Sequence, residues 1–485
     1  MYGTDRVEMK PSIDRMFGRG ATVGAVVGIV RGHETAVVSA HGLADIATAR
    51  PVDADTVFRI ASITKTFTAV AVLQLWQRGR LDLDAPANEY LRSYRLAPSP
   101  RFALPTVRQL LTHTAGIGET DRPTRLLRPD FGESVPPGHA VPTLSEFYRG
   151  ALKVQAEPGT RWTYSNHGFA TLGQLVEDVS GTALDEYLRE HVFGPLGMHD
   201  TGLVHRRSDR ARHATGYVLR ADGPHPVIRR EMVTVGAASA NSTARDLCRY
   251  LSALVGGGAN QYGAVLDPGT LTTMFAPQYQ PDPRIPGMGL GFFRARLGAH
   301  QVIEHQGILP GFDSQIWAAP DAGVGVVALT TGAHRGMLWL PAATAALMRD
   351  VLGVPEPVIR SDIGHSPEIW HDICGYYRLP GALTDVRARG MVGAGVRVAI
   401  SGGRPVLRVA TPIPTLMRGL ALYPDDERDP WVFRLDLSRF GMDTVRIVFR
   451  HVDRTTTMHL EPMPMTMRKA ETFVKRRGHK VLSTR

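Results

Sequence analysis

The chain has 485 residues, of which 43% are hydrophobic, so it is long enough to bury a large core and to form two domains. Its two cysteines, Cys248 and Cys374, lie far apart, which favours two buried, reduced thiols over a disulfide framework. No run approaches the roughly 20 apolar residues of a membrane span, and the first ten residues lack the apolar segment of a secretory signal. We therefore expect a soluble, cytoplasmic protein without a transmembrane segment.

The formal net charge of +10 is concentrated at one end of the chain. Residues 468–485 contain seven basic residues and one acidic residue, a charge of +6, which leaves +4 for the other 467 residues. A body this close to neutral does not indicate a nucleic-acid-binding protein. The basic tail, residues 469–485, is predicted to be a solvated end, and weak attraction to an anionic membrane surface is the alternative.

The predicted elements change in kind along the chain. Two short strand-like runs, residues 24–30 and 35–40, predict a β-hairpin, and residues 62–78 predict a helix that is apolar almost all round and ends at Gly79. Further helices are predicted at 107–111, 145–153, 168–180, 183–191 and 244–254, and strands at 301–305, 314–319 and 324–330. This order predicts an α+β fold, in which an antiparallel sheet is flanked by helices and carries an inserted helical subdomain.

A second domain is predicted beyond a proline-rich linker at residues 354–367. In the stretches WVFRLDL and TVRIVFRHV, apolar and polar residues alternate, which is typical of strands with one buried face. We expect a small antiparallel β-barrel-like domain at residues 368–468, following a catalytic domain at residues 1–353. The β domain contains no cluster of residues typical of catalysis, and its task cannot be derived from its sequence.

Lys65 occupies an unusual position, at the start of the apolar helix. Only six of the 56 basic residues are lysines, which indicates that this sequence uses arginine wherever a positive charge alone is needed. A lysine amine can lose its proton when buried near other charges, whereas a guanidinium cannot. Ser62 lies three residues earlier and shares the helix face, so a neutral Lys65 could accept the serine proton. A capping serine beside a lysine that extends to solvent is the structural alternative.

Several further phrases accompany this pair: LLTHTAGI at 110–117, TYSN at 163–166, HVFGPLGM at 191–198 and EHQGI at 304–308. Together they resemble the serine β-lactamase-like superfamily, in its branch of class C β-lactamases, D-amino-acid peptidases and class VIII esterases. The similarity runs from about residue 23 to residue 347 with the motifs in the same order. It implies the two-part fold described above and an acyl-enzyme mechanism that needs neither metal nor cofactor.

The resemblance also implies a role for each matching residue. Ser62 corresponds to the acylated nucleophile and Lys65 to the base that activates it. Tyr164 corresponds to the tyrosine that relays protons to the leaving group and to the deacylating water, and Asn166 to the amide that holds substrate or Lys65. A core tyrosine with a satisfied hydroxyl is the structural alternative for Tyr164.

The third motif of the family matches His305-Gln306-Gly307. The backbone amides of Ser62 and Ile308 would form the oxyanion hole, and Gly307 would let the strand approach the substrate. Many β-lactamases carry a lysine where this chain has His305. Because a histidine is mostly neutral at pH 7, efficient β-lactam hydrolysis is not expected, and carboxylate substrates should gain only as the imidazole protonates near pH 6.

These features predict a serine hydrolase that acts on a small-molecule ester, amide or peptide, with a carboxylesterase ahead of the alternatives. A D-amino-acid peptidase or DD-carboxypeptidase and a weak β-lactamase remain open within the same family. A non-catalytic penicillin-binding or scaffold protein is the alternative of another class. No Gly-x-Ser-x-Gly motif occurs in the chain, which excludes the α/β-hydrolase mechanism. The oligomeric state cannot be derived from the sequence.

Overall fold

The computed structural model describes residues 2–204, 211–379, 381, 385, 389, 393, 395–411, 413–461 and 463–470. Most of the basic tail predicted at 469–485 therefore lies outside the described residues, and Lys469 itself ends the last strand. No helix within the described ranges is both long and apolar enough to cross a membrane.

Among the described residues, fifteen strands precede the C-terminal barrel, and seven of them form one large sheet. In chain order they are β1 (Gly24–Arg31), β2 (Glu34–Asp45), β3 (Arg50–Pro51), β4 (Phe58–Arg59), β5 (Arg95–Ala97), β6 (Ser134–Val135), β7 (Ala151–Lys153), β8 (Tyr217–Arg220), β9 (Gly223–Pro226), β10 (Glu231–Met232), β11 (Asn241–Ser242), β12 (Phe293–Leu297), β13 (His300–Leu309), β14 (Phe312–Ala319) and β15 (Val324–Thr331). The sheet has seven antiparallel strands in the order β12-β13-β14-β15-β1-β2-β3.

The sheet is therefore built from both ends of the catalytic part of the chain, as predicted. The first hairpin pairs with the last strand, with Val27 opposite Ala328, which places β1 near the middle of the sheet. Seven of the eight residues of β1 are buried, because helices cover both faces of the sheet. This arrangement confirms the predicted α+β class.

The helices are α1 (Tyr2–Phe17), α2 (Thr64–Gln77), α3 (Val107–Leu111), α4 (Leu144–Tyr148), α5 (Asn166–Ser180), α6 (Leu184–Leu188), α7 (Val235–Ala238), α8 (Ala244–Val255), α9 (Pro268–Phe275), α10 (Gly336–Leu352), α11 (Trp370–Ile373) and α12 (Pro414–Arg418). Helices α1 and α10 bury one face of the sheet in a core that includes Val27, Ile29 and Trp339. Helix α8 and the helical subdomain bury the other face, where the whole middle of α2 is inaccessible.

Three local predictions were wrong. The helix predicted at 145–153 ends at Tyr148, because Arg149 and Gly150 have φ of 56° and 82°. Residues 151–153 instead form β7, which pairs in parallel with β5. The motif His305-Gln306-Gly307 does not end its strand, since β13 continues to Leu309. Cys374 is only half-buried, although both cysteines are free thiols.

The C-terminal part of the chain forms a closed antiparallel barrel. Its strands are β16 (Gly375–Arg378), β17 (Gly395–Ser401), β18 (Arg404–Val409), β19 (Leu420–Pro424), β20 (Val432–Leu435), β21 (Val445–Val452), β22 (Thr455–Leu460) and β23 (Met465–Lys469). Side chains such as Tyr377, Phe433 and Phe449 fill its interior, as the alternating pattern predicted. Val432, on the opposite face of β20, is also buried, because it packs against Ile285 of the catalytic part.

The barrel is attached to the catalytic part by charged as well as apolar contacts. Arg284 donates to Asp282, to Asp429 of the barrel at 2.9 Å, and to the carbonyl of Phe449 at 2.9 Å. Residues 354–366, which join the two parts, contain no helix or strand. We propose that they link two domains, with the second one ending at Lys469.

Candidate active site

Ser62 lies on a tight turn whose other two residues, Ala61 and Ile63, are buried. A 3-10 turn over Ala61–Ile63 runs directly into α2, so Ser62 precedes the α-helix by two residues. Ala61 has φ of 48°, a conformation that costs energy for a residue with a Cβ. The neighbouring residues are buried, and Ala61 packs against Met232 and Leu309, so the packing holds the turn in place. Ser62 alone in this turn is partly exposed and can meet a substrate.

Lys65 is fully buried, and its amine is surrounded by oxygen acceptors. Its Nζ lies 3.0 Å from Ser62 Oγ, 2.8 Å from Asn166 Oδ1 and 3.0 Å from the carbonyl oxygen of Ala237. The Nζ also lies 4.7 Å from the centre of the Tyr164 ring. An ammonium would donate to all three oxygens, whereas a neutral amine would donate to two and direct its lone pair at the third. The capping alternative, in which this lysine extends to solvent, is wrong.

Tyr164 and Asn166 are positioned by the start of α5. Ser165 is the N-cap of this helix, and its side chain accepts from the amide of Gly168, because serine is among the preferred N-cap residues. The Ser165 amide donates to Nδ1 of His113 at 3.1 Å, and its hydroxyl donates to the carbonyl of Gly118 at 2.9 Å. The motif around His113 thus holds the start of α5 in place.

Glu133 lies behind Asn166 and was not predicted as a site residue. It is 2% exposed, and its Oε2 accepts from Asn166 Nδ2 at 2.7 Å and from Thr234 Oγ1 at 3.3 Å. Its Oε1 is 3.8 Å from Nε2 of His167, whose Nδ1 is hydrogen-bonded to the Tyr148 hydroxyl at 2.9 Å. A series of buried polar contacts therefore leads away from Lys65 into the helical subdomain.

Strand β13 forms the opposite side of the site. Its residues 300–304 pair with β12, so beyond Glu304 the edge of β13 that faces away from β14 has no partner strand among the described residues. Ile308 lies on this part of the strand and is 44% exposed. A Cβ on Gly307 would lie 2.1 Å from the carbonyl oxygen of Ile60. The glycine is therefore needed where β13 packs against the segment that leads to Ser62.

His305 is buried and held neutral. It is 1% exposed, and its Nδ1 lies 2.8 Å from the carbonyl oxygen of Gln306. Burial lowers the pKa of His305 to about 3, and the nearby charge of Lys65 acts in the same direction. The expectation that this imidazole protonates near pH 6 was therefore wrong, because it assumed a solvated ring.

Aromatic rings line the space between Tyr164 and His305. The Phe293 ring is stacked on Tyr164 with centroids 6.5 Å apart, and it meets His305 edge-on at 5.6 Å. Trp162 meets Phe293 at 6.0 Å and is buried against the barrel core. This wall is apolar, so it suits an uncharged group better than a charged one.

The structure brings together the side chains predicted from the Ser62–Lys65 pair and from the TYSN motif. Ser62, Lys65 and Asn166 are directly hydrogen-bonded, and the Tyr164 ring covers the lysine. Sequence reasoning missed Glu133, which belongs to none of the quoted motifs, and the carbonyl of Ala237, which no side-chain motif can reveal. It noted the phrase containing His113 but gave that residue no role. Across the described ranges, no group of three or more His, Cys, Asp or Glu residues is arranged to hold a metal ion.

Comparison with known proteins gives the same family. A sequence model of the Beta-lactamase family matches residues 11–347. Esterase EstB of Burkholderia gladioli is 32% identical over 377 residues, which are 69% of this chain and 94% of that protein. A D-aminopeptidase of Cereibacter sphaeroides is 26% identical over 357 residues, which are 72% of this chain and 62% of that protein.

The likeness in fold extends through the barrel. The octameric penicillin-binding protein homologue from Pyrococcus abyssi superimposes with a TM-score of 0.60 at 20% identity, over 96% of this chain and 100% of that chain. The family match spans well over half of the chain, and the relative at 32% identity is covered almost completely. The chain therefore belongs to the beta-lactamase family and is a serine hydrolase with the β-lactamase fold.

Proposed function

We propose that this protein is a carboxylesterase that hydrolyses small uncharged esters through an acyl-enzyme on Ser62. The observation that carries the proposal is the neutral, buried His305 at the position where a fixed cation would be needed to attract a carboxylate. The apolar wall formed by Trp162, Tyr164 and Phe293 supports the same conclusion. The similarity to an esterase at 32% identity is consistent with it.

Acylation begins with proton transfer from Ser62 to Lys65. The two groups are already 3.0 Å apart, within reach of direct transfer when the amine is neutral. The serine oxygen then attacks the ester carbonyl, and the amides of Ser62 and Ile308 stabilise the oxyanion. Tyr164, beside Lys65, relays the proton from Lys65 to the departing alkoxide, so that the alcohol leaves as the acyl-enzyme forms.

Deacylation reverses the proton path. A water molecule takes the place of the alcohol, passes one proton through Tyr164 to Lys65, and attacks the acyl carbonyl in the same oxyanion hole. Ser62 recovers its proton as the acid is released. The neutral His305 donates its Nδ1 proton to the Gln306 carbonyl, so its Nε2 can only accept a hydrogen bond, and the ring adds no charge to the site.

Covalent labelling and substrate comparison test the proposal together. A fluorophosphonate probe should modify Ser62, as mass spectrometry of the labelled peptide would report, and the Ser62→Ala variant should remain unlabelled. Short-chain p-nitrophenyl esters should be hydrolysed readily, while a chromogenic cephalosporin should turn over slowly at most. Efficient cephalosporin hydrolysis with negligible esterase activity would overturn the assignment.

A D-amino-acid peptidase is the second candidate, favoured by the D-aminopeptidase relative. The same nucleophile, base and oxyanion hole would serve an amide substrate, so the two candidates differ in substrate recognition and not in chemistry. A parallel screen of D-amino-acid amides and p-nitrophenyl esters separates them. Higher kcat/KM on the D-amides would assign the protein to the peptidase branch.

A further inference from the structure

Glu133 is a buried carboxylate that the proposed mechanism does not use directly. It is 2% exposed, and its Oε2 accepts a 2.7 Å hydrogen bond from Asn166 Nδ2. We propose that Glu133 is a positioning residue that fixes the orientation of the Asn166 amide and thereby aims the lone pair of Lys65 at Ser62. This inference rests on the proposed role of Lys65 as the base.

The chemistry of the carboxylate determines which way the Asn166 amide faces. A carboxylate accepts hydrogen bonds and donates none, so only the NH₂ end of the amide can face Glu133. The amide oxygen then points in the opposite direction, where it accepts from Lys65 Nζ at 2.8 Å. In the reversed orientation, two oxygen acceptors would face each other and the NH₂ group would face the lysine.

The orientation of this amide determines where a neutral amine directs its lone pair. Neutral Lys65 has two N–H bonds, and the oxygens of Asn166 and Ala237 are placed to accept them. The remaining tetrahedral position, which holds the lone pair, is then directed at Ser62 Oγ. If the NH₂ group of Asn166 faced the amine, it would donate to the lone pair and block the base.

Glu133 is also connected to the second acceptor. The amide of Val233 donates to the carbonyl of Glu133 at 2.7 Å, and Thr234 Oγ1 donates to its carboxylate. These two residues lead directly into α7, which carries Ala237. Both oxygens that orient the amine are therefore tied to one residue.

The charge of Glu133 predicts a change in the pH-rate profile that a role in packing alone would not produce. The carboxylate is separated from Lys65 by one amide and favours its ammonium form. The other titratable groups that face this pair are His167 and Tyr148 behind Glu133, and Tyr164 and His305 around Lys65. If the negative charge is removed, Lys65 gives up its proton more easily, and the acid limb of the pH-rate profile moves to lower pH.

The test uses Glu133→Gln, which keeps the size of the side chain but removes the charge and adds a donor. We expect kcat/KM for ester hydrolysis and the rate of fluorophosphonate labelling of Ser62 to fall by about 10- to 100-fold, because the reacting groups are misaligned. The acid limb should shift to lower pH. Glu177→Gln, an equivalent change on α5 far from the site, is the matched control and should alter neither measurement.

A double variant tests the direction of the hydrogen bonds. Asn166→Asp alone places two carboxylates together and should abolish most labelling. In the double variant with Glu133→Gln, the amide at position 133 donates to the carboxylate at position 166, and this carboxylate still accepts from Lys65. Labelling should therefore be faster than in Asn166→Asp alone. This comparison still tests the proposal if the Glu133→Gln variant alone does not fold.

Two results would overturn the proposal. The first is a folded Glu133→Gln variant with unchanged labelling and an unchanged acid limb. The second is a double variant that labels no faster than Asn166→Asp. Labelling of Ser62 does not require the natural substrate. If the wild-type protein is labelled but hydrolyses no ester, the esterase proposal is refuted. The Glu133 and Asn166 variants would then still test the role of Glu133 through their labelling rates.

Discussion

Gly307 and Ile60 are in direct backbone contact, since a Cβ on Gly307 would lie 2.1 Å from the Ile60 carbonyl oxygen. Ser314 Oγ donates to the same carbonyl at 2.9 Å and secures the contact from the neighbouring strand. The contact fixes β13 against the turn that carries Ser62. It therefore sets the separation of the amides of Ser62 and Ile308, on which the proposed oxyanion hole depends.

Gly307→Ala should accordingly damage both the fold and the site. The added methyl group meets backbone, which cannot rotate away, so we expect a loss of about 1–3 kcal/mol in the free energy of unfolding. The activity of the remaining folded protein should fall as well, because β13 must move away from Ser62. Gly269→Ala is the control, since a Cβ there meets no atom within 4 Å. Denaturant unfolding and ester kinetics measure the two effects, and a fully active, stable variant would contradict the expectation.

Lys65→Arg separates a chemical role from a structural one. The arginine keeps the positive charge, but its guanidinium does not give up a proton in a protein. If Lys65 is the base, kcat should fall by about 10²–10⁴-fold, the usual contribution of general-base catalysis. Lys153→Arg, at an exposed lysine on β7, should be without effect. Near-normal turnover by the Lys65 variant would remove Lys65 from the mechanism.

His305 should make no contribution to the pH dependence of catalysis between pH 5 and 8. Its pKa is lowered to about 3, so the ring stays neutral throughout this range. The ratio of kcat/KM for a carboxylate-bearing ester to that for an uncharged ester should therefore not rise between pH 8 and pH 6. A several-fold increase in this ratio at pH 6 would mean that the histidine becomes protonated in the enzyme.

Asp313 should make the protein less stable as the pH rises. It is 9% exposed, and burial raises its pKa to about 7. The folded state therefore binds a proton more tightly than the unfolded state, and the stabilisation present below pH 3.8 is lost as the pH rises through 7. Asp313→Asn should be more stable than the wild type at pH 8, by on the order of 1–3 kcal/mol, with a smaller difference at pH 5.

Urea unfolding of both proteins at the two pH values measures this difference, and other titrating groups cancel in the comparison. Asp321→Asn, at an exposed aspartate between β14 and β15, controls for the type of substitution. Equal stability differences at pH 5 and pH 8 would show that the Asp313 carboxyl ionises normally in the folded protein.

The sequence by itself determined the elements whose signals are local. The two short strand-like runs at residues 24–30 and 35–40 predicted the first hairpin, and the helical pattern of residues 168–180 predicted most of α5. The pattern around Phe433 predicted the barrel strands. Local prediction failed at 145–153, because the apolar pattern continues through Arg149 and Gly150 although the backbone there is left-handed. The family resemblance named the motifs that should meet, but it gave no distances.

Only the tertiary structure decided how the site works. Lys65 meets Asn166 and Ala237 across 101 and 172 residues of chain, and no periodic pattern records such contacts. Glu133 appeared in the sequence as one acid in a loop and became significant only when folding buried it against Asn166. The neutrality of His305 at pH 6 also follows from burial, because the pKa of a group depends on the solvent and charges that the fold places around it.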